Sequence, residues 1–453
     1  MLQLGFARVD VTPPLSVPYL DYYPRHTPFQ GVHDPLHLRA LVAENAGAGL
    51  AIVAVDSLGF NRAVLGADRD WIAEARARVE GRIGIPGRNV LIAATHAHST
   101  PATCDTAPLL EYLDAAACWL DEVAERMADA VEAAWKSRAT ARLRGAVGLA
   151  PAIAWSRRMI TRDGRIISRF HERPPDHEIV KEARDDRVPV LLASGEGWRG
   201  AVIGFTCHPV IVQTQPLVSA DFPGVACRIV ERELGALSCL FLQGAAGDVN
   251  PIRGTTDFRD VAATGGVLGG EALRLLSLLS AEDGPAMSET LAVESETVEV
   301  ERRPLPDVTG LEQKAADLEA LIPLAESGAA RREAIAAYRR VVEPLRLARL
   351  GEGPVRVEVQ ALRLGDALIV AVEGELFADY GNRIKEASPA PVTFVSAYSN
   401  GMEGYLPTRE AFDEGGYEVA AGPWTRVGRT AGDQVTERAI ALAHRVWHRG
   451  ETG

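Results

Sequence analysis

Apolar residues in this chain gather into short continuous runs that stop at polar or small residues. LAIVAV ends at Asp56. NVLIAATHAH spans residues 89–98, AVIGFTCHPV spans 201–210, and CLFLQGAAGD spans 239–248. ALIVAVEGEL (367–376) and VTFVSAYSN (392–400) complete the set. Runs this uninterrupted suit strands buried on both faces, since a half-exposed strand would alternate. Between them the period changes. RAVLGADRDWIAEARARVEGRIG, LLEYLDAAACWLDEVAERMADAVEAAWKS, PGVACRIVERELG and VLGGEALRLLSLLS repeat near 3.6 and read as helices. RMITRDGRIISRF turns at Asp163-Gly164 between β-prone arms and reads as a hairpin. TLAVESETVEVERRPL alternates like an edge strand. The charged helical pattern that follows breaks near residues 326–328. It reads as a solvated helical hairpin over about 310–350, with a lid or a dimer contact as the alternative.

Strands alternating with helices predict an α/β fold: a layered mixed sheet with flanking helices and an inserted helical hairpin. No internal repeat and no linker-like tract is visible, so residues 1–453 are expected to form a single domain.

Composition narrows the class. At 47% hydrophobic and 24% charged the chain is an ordinary globular protein. A net charge of −13 disfavours nucleic acid and anionic membrane as partners. The start, MLQLGFARVDVTPP, does not read as a signal peptide, and no apolar stretch reads as a transmembrane helix. Five cysteines without CxxC spacing are expected to be buried thiols in a reducing, cytoplasmic setting.

Chemistry gathers at the ends of the apolar runs. In ATHAHSTP, His96 and His98 stand two residues apart, and in a strand that spacing puts both on one face. In α/β sheets the carboxyl ends of strands are where ligands bind. A second run ends in His208 and a third in Glu373-Gly374-Glu375. Two histidines and a glutamate at three strand ends match a catalytic zinc with an open position, although Glu375 could instead pair with an arginine. A zinc there would make a nucleophile of water near neutral pH. Asp221 in SADFPG and Asp248 in QGAAGDVNP could line the same site or serve only the chain turns. Arg39 could pair with Asp56 at the end of the first run.

Taken together, GFARVDVTPP, GVHDPLHLRAL, ATHAHSTP, GFTCHP, SADFPG, QGAAGDVNP, EGE and EGYLPTREAFDEGGYE span nearly the whole chain. In that order they resemble the catalytic domain of the neutral, non-lysosomal ceramidases. The resemblance implies one zinc held by His96, His208, Glu375 and Tyr405. It implies that His98 is not a ligand but handles protons or the oxyanion beside the metal. Tyr417 matches a tyrosine that contacts substrate, and Arg157 of AWSRRM falls where the family has an arginine. Three departures stand out: Ser156, Asn250 and Glu373 replace a family asparagine, serine and proline.

The expected activity is zinc-dependent cleavage of a linear amide bond in a small molecule by metal-activated water. An esterase or lactonase on the same scaffold and a catalytically silent binding protein are the alternatives. HAHSTP lacks the Asp-His of metallo-β-lactamase-like enzymes, and the HxH of amidohydrolase barrels usually comes earlier in the chain. No segment resembles the family's C-terminal β-sandwich domain, so a shorter bacterial branch with a smaller, soluble substrate is expected. No integral membrane contact is expected, and homo-oligomerisation is left open.

Overall fold

The computed structural model describes every residue except 20–26, 67, 102, 104–112, 168–174, 253–256, 282–283 and 450–453. Its organising feature is one strand arrangement used three times. The first sheet holds β1 (Gln3–Asp10), β2 (His37–Asn45), β3 (Ala48–Val55) and β4 (Val90–Ala94), with Ala139–Thr140 at its edge. The second holds β5 (Arg142–Leu149), β6 (Arg187–Gly195), β7 (Trp198–Phe205) and β8 (Cys239–Gln243). The third holds β9 (Leu291–Val300), β10 (Val355–Leu364), β11 (Ala367–Val372) and β12 (Val392–Ser396). In each sheet the first three strands are antiparallel neighbours, and the fourth lies parallel to the third. A parallel pair needs a crossover, and a helix supplies it each time. These are α1 (Trp71–Ile83), α3 (Asp221–Leu234) and α7 (Ala378–Ala387). The repetition lies in topology and is not visible in the residues.

Local sequence explains the turns and caps. Between β2 and β3, Ala46 and Gly47 both have positive φ, 50° and 84°, as a two-residue hairpin turn requires. Asp70 caps α1 by accepting from the Ala73 amide, and Gly84 closes that helix in the left-handed conformation. The 159–167 hairpin forms as expected, pairing Met159 with Ile167. Its last three residues, 168–170, lie outside the described set, as do 109–112 ahead of α2 (Leu113–Lys136).

The strands read from continuous runs are buried on both faces, as predicted. Leu41, Ile52, Leu91, Leu191, Leu240, Leu362, Ile369 and Phe394 join one core where the three sheets face one another. The alternate residues point outward. Val53 and Ile92 of the first sheet pack against α1 and α2, while Ile203, Phe241 and Val370 pack in a core that holds α3, α4 (Phe258–Ala281), α7 and α8 (Ala431–His448). Among the described residues α4 alone is long and apolar enough to cross a membrane. Its Val261, Leu268, Ala272 and Leu276 are buried in that core, the placement of an interior helix. Between β9, an edge strand, and β10 rises the helical hairpin α5 (Leu311–Leu321) and α6 (Gly328–Arg349), with a small core of its own around Ile335, Val341 and Leu345. Three described cysteines are buried thiols; Cys118 is exposed, contrary to expectation, and Cys104 lies outside the described residues. Arg39 and Asp56 pair at 3.0 Å, both buried.

Candidate metal centre

Every strand that carries site residues is shorter than its apolar run. β4 stops at Ala94, β7 at Phe205 and β11 at Val372. The three histidines therefore stand on the loops just beyond, and Glu375 on a separate two-residue strand. This corrects one expectation: His96 and His98 do not share a strand face. His96 has φ 64°, so the chain turns at His96 instead of continuing the pleat. The turn, not strand alternation, brings the two imidazoles together, with Nε2 atoms 3.2 Å apart.

His96, His98 and His208 offer ring nitrogens within 4.8 Å of one another. Glu375 Oε2 joins them, 3.2 Å from His208 Nε2 and 3.5 Å from His96 Nε2. Each of these two histidines is anchored through its other nitrogen. His96 Nδ1 lies 2.5 Å from the Leu58 carbonyl oxygen and His208 Nδ1 lies 2.5 Å from that of Ala246. A carbonyl only accepts, so both Nδ1 atoms carry the proton and both Nε2 atoms present a bare lone pair. Among the described residues His208 Nε2 accordingly has no hydrogen-bond donor. Burial, reinforced by the Arg157 charge, pushes His208 down to about 3, and burial lowers His96 too, so both rings are neutral at pH 7. Two lone pairs and a carboxylate oxygen thus face each other in a dry pocket. That arrangement repels itself unless a cation sits among them, and neutral imidazole and carboxylate are what a divalent metal takes.

Tyr405 reaches the same place by strand pairing. Glu375–Leu376 and Tyr405–Leu406 form a two-residue parallel ladder in which Glu375 and Tyr405 are register partners. The Arg157 guanidinium, itself buried, donates to Tyr405 Oη at 2.9 Å and to the Gly247 carbonyl at 2.7 Å. Glu418 holds that guanidinium at 2.7 Å. Burial keeps the Tyr405 phenol above its ordinary value, and Arg157 acts against it. Tyr417 stands edge-on to Tyr405, 5.9 Å between ring centres, and stacks on Trp424. It is 42% exposed, whereas Tyr405 is buried, so Tyr417 lies on the outer side. His98, at 9%, is the most open of the three histidines.

The two aspartates stay out of the cluster. Asp221 turns inward to accept from the Val212 and Phe222 amides, and burial pushes it up to about 6. Asp248 accepts from the Ala378 amide at the start of α7, and burial pushes it up to about 7. Glu373 pairs with Arg62 at 3.0 Å, away from the histidines. One site residue was missed: Tyr398, which stacks on His96 with ring centres 3.9 Å apart. Its only sequence signal was its place just past an apolar run.

No protein-family model and no curated protein matches this sequence. Solved structures do. A ceramidase complexed with C2 superposes with a TM-score of 0.70 at 18% identity, covering 99% of this chain and 75% of that one. The neutral ceramidase from Pseudomonas aeruginosa superposes at 0.68 and 20% identity, over 98% and 75%. At such identities the likeness is one of fold, and this chain has a neutral-ceramidase-like α/β fold over nearly its whole length.

Proposed function

We propose that this chain is a zinc-dependent hydrolase that cleaves a linear amide bond, with the metal held by His96, His208, Glu375 and Tyr405. The observation that carries the reading is the pair of anchored imidazoles whose bare Nε2 atoms converge on Glu375 Oε2. The ceramidase-like fold, at 99% coverage, supports amide chemistry over other hydrolysis.

Zinc, when bound, supplies Lewis acidity: it polarises a carbonyl and acidifies a water. The rest falls to side chains. His98, beside the ligands and more open than they are, accepts a proton from the attacking water and returns it to the leaving amine. Arg157 donates to Tyr405 Oη and so favours the anionic form of that phenol. Glu418 holds Arg157 in line, and Tyr417 offers its exposed ring to the substrate.

A second reading has His98 as a metal ligand, favoured by its Nε2 lying 3.2 Å from that of His96. The test is metal analysis of the purified chain together with turnover of N-acyl amides, N-acyl sphingosines, esters and lactones. About one zinc per chain and turnover of an amide support the proposal. Absence of metal after zinc loading, or faster turnover of esters and lactones than of every amide, overturns it.

A further inference from the structure

The threefold topology gives the centre a rule. In each unit one loop starts after the third strand and another after the fourth. Counting three residues past the third strand gives Leu58 after β3, His208 after β7 and Glu375 after β11. Opposite them, the fourth-strand loops carry His96 two residues past β4, Ala246 three past β8 and Tyr398 two past β12. In the first unit His96 is steadied by the Leu58 carbonyl, and in the second His208 is steadied by the Ala246 carbonyl. Each unit thus sends one group toward the centre, and the facing loop of the same unit holds it.

The third unit completes the pattern with a side chain. Glu375 is the inward group, and Tyr398 is its opposite number. Tyr398 Oη donates to Glu375 Oε2 at 3.5 Å, the oxygen that both imidazoles approach. Tyr398 matches His96 in position and in backbone: φ is 55° at one and 64° at the other. Left-handed backbone at a bulky residue is uncommon and persists only where surrounding contacts enforce it. They do so here. The Tyr398 amide donates to the Gly374 carbonyl, next to Glu375, and its own carbonyl accepts from Ala94, two residues before His96. Asn400, left-handed as well, continues the seam to β4 by bonding both the amide and the carbonyl of Ile92.

We infer that Tyr398 is a positioning residue of the metal centre, setting the plane of His96 through its ring and the orientation of Glu375 through its hydroxyl. The inference rests on the metal reading above. Its substitutions separate the two contributions: Tyr398→Phe keeps the stacking face and loses the hydroxyl, while Tyr398→Leu loses both. The readout is zinc affinity by competition with a chelator, alongside thermal unfolding of each chain with zinc removed. Outer partners of metal ligands are worth about 10–100-fold in affinity. Phe is expected near the lower end of that range and Leu near the upper, with the metal-free Phe chain unfolding at the parental temperature. A parent chain that binds zinc while both variants stay within about twofold of it overturns the role of Tyr398 alone. A parent chain that takes up no zinc overturns the metal reading and this inference together.

Discussion

Replacing His96 and His98 one at a time by alanine separates two jobs that the sequence motif alone leaves merged. His96 Nε2 is a lone pair because Nδ1 is committed to the Leu58 carbonyl. With a metal on that lone pair, His98 Nε2 cannot keep a hydrogen bond to it and must face water or the metal. If it faces water, His98→Ala leaves the ligand set whole. Metal then still stabilises the fold, by about 4 kcal/mol when free zinc is 1,000 times its dissociation constant. The variant loses turnover by about 10²–10⁴-fold, the usual worth of a placed acid/base group, or about 3–5 kcal/mol of barrier. His96→Ala removes a ligand, so both zinc and the zinc-dependent rise in unfolding temperature disappear. The assay is zinc content after dialysis, thermal unfolding with and without chelator, and amide turnover for both variants. Equal loss of zinc from the two variants, or two ions per parent chain at full activity, would refute the division of roles.

Three further outcomes follow from the geometry. Zinc-free chain should lose stability as pH falls from about 6.5 toward 3, because unfolded histidine takes up a proton across that window while His208, held at about 3, does not. Thermal unfolding across pH should show this slope, flattened in His208→Ala, and an unchanged slope in that variant would count against the assignment. Gly247→Ala places a Cβ 2.5 Å from the Glu375 carbonyl oxygen and should weaken zinc binding by about tenfold or more while the far-ultraviolet circular dichroism is unchanged. Tyr417→Ala, on the outer side, should raise KM by about tenfold with zinc content unaltered; a fall in kcat at constant KM would move Tyr417 from substrate contact to the chemical step.

Much of the scaffold could be read without coordinates. Continuous apolar runs located the third and fourth strands of each sheet, because a strand covered on both faces has no polar side to show, whereas β1, β5, β6 and β10 went unread. The break near residues 326–328 located the turn of the helical hairpin. His208 and Glu375 stood out because polar groups at the ends of such runs are buried and must be matched to something. What periodicity could not locate is where each strand stops. The runs carry on past the last pleated residue, so β4 was read through His98 when it ends at Ala94. Nothing in the residue types of ATHAHSTP announces a left-handed turn at His96.

By itself, then, the amino-acid order marked the third and fourth strands of each sheet, several of the helices, and the groups chemically able to hold a metal, since these depend on local pattern and on side-chain chemistry. The tertiary structure alone decided which of those groups meet. Glu375 and Tyr405 become neighbours only through a two-residue parallel ladder between segments 30 positions apart (405 − 375). His96 and His208 present bare Nε2 nitrogens only because carbonyls of Leu58 and Ala246, each 38 residues away, accept hydrogen bonds from their Nδ1–H groups. The three units face one another through packing among Leu91, Leu240 and Phe394, contacts between distant parts of the chain that no local window contains. Non-local pairing is set by the free energy of the whole packed chain, and so a threefold topology can stand on segments that share no visible repeat.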